Sequence, residues 1–224
     1  MLTKDRARED YVKAIYQLGD GRPVSAVSLA RYLGVSRAAI TKFRRVLSAD
    51  GLARTARART DPIRLTARGQ ALALNMLRRH RLVETFLHQT LGVPLDVLHS
   101  QAEAIEHVLS DDVTDRLNRF LGNPQYDPHG HPIVGLSDSH AGKARDVLAH
   151  APTGSRIKIE GIPDRDAKTL RRLVAQRVLP GLVAKVVDRQ GRSLTLRSSG
   201  GTHVVDRAAA AAIHISMREP KGRS

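Results

Sequence analysis

Cysteine and tryptophan are absent from this 224-residue chain, and aromatic residues make up only 3% of it. The lack of cysteine excludes a disulfide framework, a thiol nucleophile, an iron–sulfur cluster and any cysteinyl zinc site. So few aromatic side chains argue against base-stacking platforms for single-stranded nucleic acid. Apolar runs fall far short of the ~20 residues of a membrane span, and the first residues lack a signal-peptide core, so we expect a soluble cytoplasmic protein with no membrane partner.

Acidic residues are also scarce, since 22 Asp and Glu oppose 37 Lys and Arg, giving a net charge of +15. The excess lies at the two ends: residues 1–70 and 151–224 each carry a net +9, whereas residues 71–120 carry −2 and contain four of the ten histidines. A basic excess of this size favours duplex DNA or another polyanion. The hydrophobic content of 41% is enough for a packed core, which excludes wholesale disorder.

The first 70 residues have the pattern of a winged helix-turn-helix. Tyr11, Ile15 and Leu18 recur at helical spacing, and Gly34 is a helix-stop residue in a tight turn between two further helices. An Arg-rich segment with strand character follows, and Thr66 caps the next helix. The predicted elements are helices over 5–18, 28–33 and 36–49, a two-stranded ribbon over 52–65 and a long helix over 66–88.

This arrangement predicts binding to double-stranded DNA. The second helix of such a motif enters the major groove, where its N-terminal residues reach base edges. The expected base-reading residues are Ser36, Arg37, Ala38, Thr41 and Lys42. The arginines expected to reach phosphates are Arg44, Arg45, Arg54, Arg57 and Arg59. A helix-turn-helix that serves only protein interaction is the alternative.

The acidic middle of the chain carries imidazoles and carboxylates at helical spacings. His80 and Glu84 are four residues apart on one helix, and a second predicted helix over 95–109 carries His99, Glu103, Glu106 and His107. These are usual ligands of divalent transition metals. One such pair alone would indicate a solvated surface contact, but six residues on consecutive helices favour a site for one or two ions.

Together these residues resemble the DtxR/MntR family of metal-dependent transcriptional repressors in its long form. The resemblance covers residues 5–135. It rests on Glu9-Asp10-Tyr11, the helix-turn-helix 28–51, His80-Arg81-Leu82-Val83-Glu84, His99, the run from Glu103 to Asp111, and Asp127-Pro128-His129-Gly130-His131-Pro132-Ile133.

The resemblance implies a mainly α fold with small β elements. Residues 1–70 would form the winged helix-turn-helix DNA-binding domain and residues 71–140 a helical metal-binding and dimerisation domain. A linker at 141–150 would lead to an SH3-like (FeoA-like) β-barrel at 151–217 and a disordered basic tail at 218–224. The tail domain has β-rich runs around a helix at 167–176, in agreement with this implication.

Two metal sites follow from the resemblance. The primary site would take Asp10, Glu103, Glu106 and His107. The ancillary site would take His80, Glu84 and His99, together with an oxygen donor from the C-terminal domain. Asp166 is the preferred donor and Asp164 the second choice, with helix capping as the alternative role for both.

The ligand types predict the metal. Iron-sensing members of the family have Met and Cys where this chain has Asp10 and Glu103, and manganese-sensing members have Asp and Glu there. Hard oxygen ligands suit Mn(II), so we expect a manganese sensor that Fe(II) can also activate. Small manganese-sensing members carry a second carboxylate where this chain has Lys13, so the two-site arrangement of the long members fits better.

The resemblance therefore predicts a homodimeric regulator, not an enzyme, that represses metal-uptake genes at a palindromic operator and needs no organic cofactor. Two alternatives stay open. One is a metal-independent winged-helix regulator. The other, less favoured, is a helical-bundle metalloenzyme, although the sequence contains no nucleophile motif or cofactor fingerprint.

Overall fold

The computed structural model describes residues 2–19, 21–55, 62–133, 146–189 and 191–218. Its α-helices are α1 (Leu2–Gly19), α2 (Ala26–Leu33), α3 (Arg37–Ala49), α4 (Ala67–Leu91), α5 (Leu95–Ile105), α6 (Asp111–Phe120), α7 (Ala167–Ala175) and α8 (Arg207–Ala210). Its strands are β1 (Ala53–Thr55), β2 (Ile63–Leu65), β3 (Asp146–Val147), β4 (Arg156–Gly161), β5 (Val183–Asp188), β6 (Ser193–Ser198), β7 (Gly201–Asp206) and β8 (His214–Arg218). No described helix is both long and apolar enough to cross a bilayer.

The chain forms two compact units. Of the described residues, the first unit comprises those within 2–80 and 105–114, and the second comprises those within 81–104, 115–133 and 146–218. Several sequence expectations lie outside the described residues: Arg57, Arg59, the linker residues 141–145 and the tail residues 219–224. The described part of the expected linker, 146–150, forms β3 and a 3-10 turn.

Serine caps and one glycine turn define the helix-turn-helix of the first unit. Ser25 Oγ accepts the N–H of Ser28 at 3.0 Å, and Ser36 Oγ accepts the N–H of Ala39 at 3.2 Å, so each helix begins where a serine satisfies a free amide. Gly34 ends α2 with φ 66°, a left-handed conformation that glycine adopts without steric cost. α2 packs against both α1 and α3.

A two-stranded ribbon completes this motif. β1 and β2 are antiparallel, with Ala53 opposite Leu65 and Arg54 opposite Arg64. The two-residue period of a strand buries Ala53 and Leu65 and exposes both arginines. Val24, at the foot of α2, exchanges backbone hydrogen bonds of 2.8 and 2.9 Å with Ile63, which attaches the ribbon to the helices.

The helix α5 is shorter than the sequence predicts. It ends at Ile105, and Glu106–Val108 form a single 3-10 turn. Leu109 then takes an extended conformation, and the Oγ of Ser110 accepts the N–H of Val113 at 3.3 Å at the start of α6. A capping residue has non-helical dihedrals, so the chain leaves helical geometry before Ser110.

The second unit contains a six-stranded antiparallel sheet in the order β3-β8-β4-β5-β6-β7. Alternation along β4 buries Ile157 and Ile159, and Leu170 and Leu173 of α7 belong to the same core. Within the described strands the order is open, with β3 and β7 at its ends, so the pairing shows an antiparallel sheet and not the closed barrel that the resemblance implied.

The start of α4 tests the packing of the first unit. Gly69 lies so close to the ribbon that an added Cβ would be 2.0 Å from the carbonyl oxygen of Leu52. We expect Gly69→Ala to lower the free energy of unfolding by about 1–3 kcal/mol, as overpacking usually does. Gly200→Ala is the control, because its Cβ would meet only an ordinary contact at 3.6 Å. Urea unfolding followed by circular dichroism compares the two, and equal stabilities would contradict this packing.

Candidate metal centre

The exposed start of α3 carries the residues expected to read DNA. Ser36, Arg37, Ala38 and Lys42 are exposed, and half-buried Thr41 donates its hydroxyl to the carbonyl of Arg37 at 3.0 Å. The N-terminal residues of such a helix are those that reach base edges in the major groove. α3 therefore presents polar and cationic groups at the end that recognition would use.

Arg44 differs from the other arginines expected at phosphates. It is only 7% exposed, because it shares the inward face of α3 with Ile40 and Leu47 at helical spacing. Arg45 on α3 and Arg54 on β1 are exposed. Among the described residues, Arg45 and Arg54 can therefore face a phosphate backbone, whereas Arg44 lies on the core side of its helix.

Asp10, Glu106 and His107 form a cluster in the first unit. Nε2 of His107 lies 3.1 Å from Oδ1 of Asp10 and 3.5 Å from Oε1 of Glu106. One ligand atom from each residue lies within 4.8 Å of the other two. Asp10 comes from α1, and the other two come from the 3-10 turn. One imidazole nitrogen and two carboxylates are a ligand set that divalent transition metals take.

Glu9 orients the ring of His107. Its Oε2 lies 2.7 Å from Nδ1, a contact in which Nδ1 donates its proton, so the neutral imidazole would turn the lone pair of Nε2 towards Asp10 and Glu106. Nε2 is buried and makes no hydrogen bond to any residue that the structure describes. Because a buried polar atom is normally satisfied, this nitrogen between two carboxylates fits a metal ligand.

Both oxygens of Glu106 already have partners. Lys13 Nζ donates to Oε1, and His80 Nδ1 lies 2.5 Å from Oε2. Burial alone would raise the pKa of Glu106, but hydrogen bonds and charges from His80 and Lys13 hold that pKa below its usual value. Burial raises the pKa of Asp10 despite the opposing charges of His107 and Lys13. Protons therefore compete for Asp10 at higher pH than for an ordinary aspartate.

Glu84, His99 and Asp164 form a second cluster, in the second unit. Nδ1 of His99 lies 3.5 Å from Oε1 of Glu84 and 3.8 Å from Oδ2 of Asp164. Glu84 is buried on α4, His99 lies on α5, and Asp164 follows β4 of the sheet. The cluster thus joins two helices to the sheet through groups that are again suited to a divalent ion.

The segment 127–131 adds groups that the sequence analysis did not assign to a site. Oδ1 of Asp127 accepts the backbone N–H groups of His129 and His131, both at 2.9 Å, and its Oδ2 lies 3.3 Å from Nδ1 of His131. Nδ1 of His129 lies 3.4 Å from Oε2 of Glu84. Glu84, Asp127 and His129 are all buried and can bring ligand atoms within 4.8 Å of one another. The signal was the two histidines spaced His-x-His beside an aspartate.

Gly130 fixes this segment against the sheet. Its φ is 86°, and an added Cβ would lie 1.9 Å from the carbonyl oxygen of Glu160 on β4. The N–H of Ile162 donates to the carbonyl of His129 at 2.9 Å. Only glycine combines this backbone conformation with so close an approach. The contact therefore fixes the backbone that carries Asp127, His129 and His131.

The charges of the second cluster compensate one another. Burial alone would lower the pKa of His129 and of His131, but Glu84 raises the first and Asp127 raises the second above the usual histidine value. Burial alone would raise the pKa of Asp164, but the neighbouring histidines, His131 foremost, lower it. The carboxylates thus favour the protonated form of these imidazoles, and an ion that binds here would compete with their protons.

Asp166, the preferred ligand from the C-terminal domain, caps a helix instead. Its Oδ1 accepts the N–H of Lys168 at 3.0 Å at the start of α7, and its Oδ2 accepts the hydroxyl of Thr169 at 2.6 Å. Asp164, two residues earlier, is the carboxylate that meets His99. The described structure thus brings the second-choice donor, and not the first, to the ligand cluster.

Because a 3-10 turn follows Ile105, the histidines and glutamates of residues 95–109 do not all lie on one face, as they would in a straight helix. They contact two different sets of neighbours. Glu106 and His107 meet residues of α1, whereas Oε1 of Glu103 lies 3.4 Å from Nε2 of His99. His80, which lies one turn before Glu84 on α4, contacts Glu106. A regular helix through residue 109 would have kept all four ligands of α5 on one stripe.

Two family models match the chain. Residues 66–135 match "Iron dependent repressor, metal binding and dimerisation domain", and residues 147–217 match "FeoA domain". The iron-dependent repressor IdeR of Mycobacterium leprae is 34% identical over 159 residues, which cover 67% of this chain and 68% of that protein. The diphtheria toxin repressor of Corynebacterium diphtheriae is 29% identical over 203 residues, covering 86% of this chain and 88% of the relative.

Solved structures agree with these relatives. A manganese-dependent transcriptional repressor in complex with manganese has a TM-score of 0.82 and 31% identity, covering 94% of this chain and 99% of that one. The manganese regulator SloR has a TM-score of 0.77 and 26% identity, covering 94% and 98%. The helix-turn-helix and the carboxylate–imidazole clusters define a metal-responsive DNA-binding regulator as the class of protein. The chain belongs to the DtxR/MntR family of metal-dependent transcriptional repressors, which are not enzymes.

Asp164 and Asp166 offer a matched pair of substitutions. Asp164→Asn removes a carboxylate charge from the second cluster, whereas Asp166→Asn keeps the helix cap, because Asn caps helices as well as Asp does. We expect Asp164→Asn to weaken Mn(II) binding at this cluster by at least the ~10–100-fold that loss of a supporting partner causes. Asp166→Asn should bind like the unmodified chain. Calorimetric Mn(II) titration measures both, and equal affinities would contradict the assignment of Asp164.

Proposed function

We propose that this protein is a metal-dependent transcriptional repressor that binds double-stranded DNA as a homodimer. One observation carries the proposal: Asp10, on the helix that packs against the helix-turn-helix, meets His107 and Glu106 in a cluster suited to a divalent ion. A ligand set in this position couples metal binding to the element that reads DNA. The similarity to iron- and manganese-dependent repressors supports the same conclusion.

The proposed primary site takes Asp10, Glu103, Glu106 and His107. Glu103 is included on the family pattern, and the other three on their contacts as well. Hard carboxylate oxygens outnumber the single imidazole, a composition that suits Mn(II) and is compatible with Fe(II). Mn(II) is therefore the proposed resident ion, with Fe(II) as an alternative activator.

The proposed ancillary site takes Glu84, His99 and Asp164, with Asp127 and His129 as neighbouring donors. The family pattern adds His80, one turn before Glu84 on α4. Because Asp164 follows β4, occupation of this site would also hold the sheet to α4 and α5. The proposed domains keep the boundaries of the sequence analysis, with an SH3-like (FeoA-like) domain at 151–217 and a dimerisation domain at 71–140.

The proposed switch acts through α1. Gathering Glu9, Asp10 and Glu106 costs electrostatic energy that a divalent ion would offset. Asp10 and His107 would then hold α1 against the 3-10 turn. Since α1 packs against α2, this would set the position of each α3 in the dimer and allow both to enter successive major grooves of a palindromic operator. The proposed targets are metal-uptake genes, and the cytoplasm is the expected compartment of a protein that acts on them.

Metal-dependent DNA binding is the direct test. We expect Mn(II) to turn on the binding of chelator-stripped protein to a fragment of its own promoter, and a chelator to reverse it. Asp10→Asn should abolish this response. Asp5→Asn should retain it, because Asp5 lies on the same helix with an exposed side chain paired to Arg8. Fluorescence anisotropy at fixed salt, with Fe(II) and Zn(II) compared, gives the readout. DNA binding that ignores both metal and chelator would indicate the metal-independent regulator instead.

The DNA-binding face makes a separate prediction. Lys42 is exposed on α3, so Lys42→Ala should weaken binding and lower the slope of log affinity against log salt by about 1 if it neutralises one phosphate. Lys185→Ala removes another exposed lysine, from β5, and should leave the slope unchanged. Anisotropy titrations over a series of salt concentrations measure both slopes. A change in both variants would point to a nonspecific effect of net charge.

A further inference from the structure

We infer that Arg8 is a positioning residue that connects α1 directly to α3, the helix expected to read DNA, through an ion pair with Asp50. The inference rests on the proposed function and deepens it, because it names the contact through which metal binding at α1 would orient α3. It is carried by contacts within the first unit, and Arg8 is not itself a metal ligand.

Opposite faces of α1 contact different parts of the first unit. Glu9 and Asp10 meet His107 on one face. Arg8 and Tyr11 lie on the other face, because helix residues three apart are neighbours whereas each step along the chain turns the side chain by about 100°. Both Arg8 and Tyr11 contact α3. A helix held by metal on one face would therefore act on α3 with the other, without α2 as an intermediate.

These two contacts hold α3 at separate points. The ring of Tyr11 stacks on that of Phe43 near the middle of α3, with ring centroids 4.0 Å apart. Nε of Arg8 lies 2.7 Å from Oδ2 of Asp50, the C-cap of α3. Seven residues of helix separate the two contacts by about 10 Å along the axis. One contact alone would be a pivot, whereas two at this distance fix the direction of α3 relative to α1.

The ion pair is better suited to positioning than to stability. The two paired atoms are buried, although both side chains are partly exposed. Pairs of partly exposed side chains contribute little to the free energy of folding, but the planar guanidinium accepts a carboxylate in few geometries. Arg8 has a second partner, Asp5, whose Oδ1 accepts its Nη1 at 2.7 Å. Asp5 lies on α1 itself, so this second contact does not reach α3.

Other contacts keep α3 folded when the carboxylate of Asp50 is removed. Ile40 and Leu47 are buried in the core of the first unit. Arg68, at the start of α4, donates to the backbone carbonyl of Asp50 at 3.4 Å, a bond that any residue at this position can accept. We therefore expect Asp50→Ala to fold and to change the orientation of α3 more than its stability.

Asp50→Ala is a sharp test because charge and positioning predict opposite effects. Removal of an acidic group from a basic DNA-binding protein would by itself strengthen its binding to DNA, with or without metal. We expect Asp50→Ala instead to lower the Mn(II)-induced gain in affinity for a promoter fragment by about 2–30-fold, the range for residues that couple two sites. Asp5→Ala is the matched control, because it makes the same charge change and removes the other partner of Arg8, and it should keep the full gain.

Arg8→Ala removes the same ion pair from the side of α1, so the test does not depend on the folding of one variant. If Arg8 and Asp50 act as a pair, the double variant should lose no more of the Mn(II)-induced gain than the more affected single variant. Fluorescence anisotropy with and without Mn(II) gives the gain for each protein. Calorimetry without DNA should show that the variants bind Mn(II) like the unmodified chain, whereas a merely structural role would weaken DNA binding equally with and without metal.

Three results would overturn the inference. They are a full Mn(II)-induced gain in folded Asp50→Ala or Arg8→Ala, an equal loss of the gain in Asp5→Ala, and losses that add in the double variant. A failure of the proposed function looks different, since the unmodified protein would then bind its promoter fragment without any response to Mn(II).

Discussion

The first unit depends on the contact between α1 and the 3-10 turn at Glu106–Val108. Six polar or charged groups meet there: Glu9 and Asp10 face His107, and Lys13 and His80 neutralise Glu106. The balance is incomplete, because Nε2 of His107 makes no hydrogen bond within the described part of the chain and the pKa of Asp10 is raised by burial. A divalent ion between His107 and Asp10 would satisfy both groups.

In the second unit, imidazoles compensate the charge of the buried carboxylates. Glu84, Asp127 and Asp164 are brought together from a helix, a turn and the end of a strand, and the neighbouring histidines supply the compensating charge. Such networks are costly to bury unless their members are paired. Their distribution over α4, the 127–131 turn and β4 ties the helices of this unit to its sheet, so the polar cluster also has a structural role.

The sequence predicted the helix-turn-helix closely because the signals that begin and end its elements are local. The serine caps, Gly34 and the alternation of the ribbon each depend on only a few neighbouring residues. Asp10, Glu106 and His107, which lie together in the structure, were named in advance, the last two from their helical spacing and Asp10 through the family pattern. The roles of Lys13 and Arg44 depend on which face of a helix meets which neighbour, and the choice between Asp164 and Asp166 depends on where β4 delivers the chain. These are tertiary facts that spacing alone cannot decide. The 3-10 turn was missed because residues 95–109 have an unbroken helical pattern.

In the 127–131 turn, the residues that fix the backbone path are not all the same as those that could bind a metal. Gly130 cannot change without a collision with Glu160, and Asp127 holds the same turn by accepting the backbone N–H groups of His129 and His131. The imidazoles of His129 and His131 are therefore the donors whose exchange would leave the backbone path in place. The turn thus assigns its shape to one pair of residues and much of its ligand chemistry to another, so that ion preference could change without a change of fold.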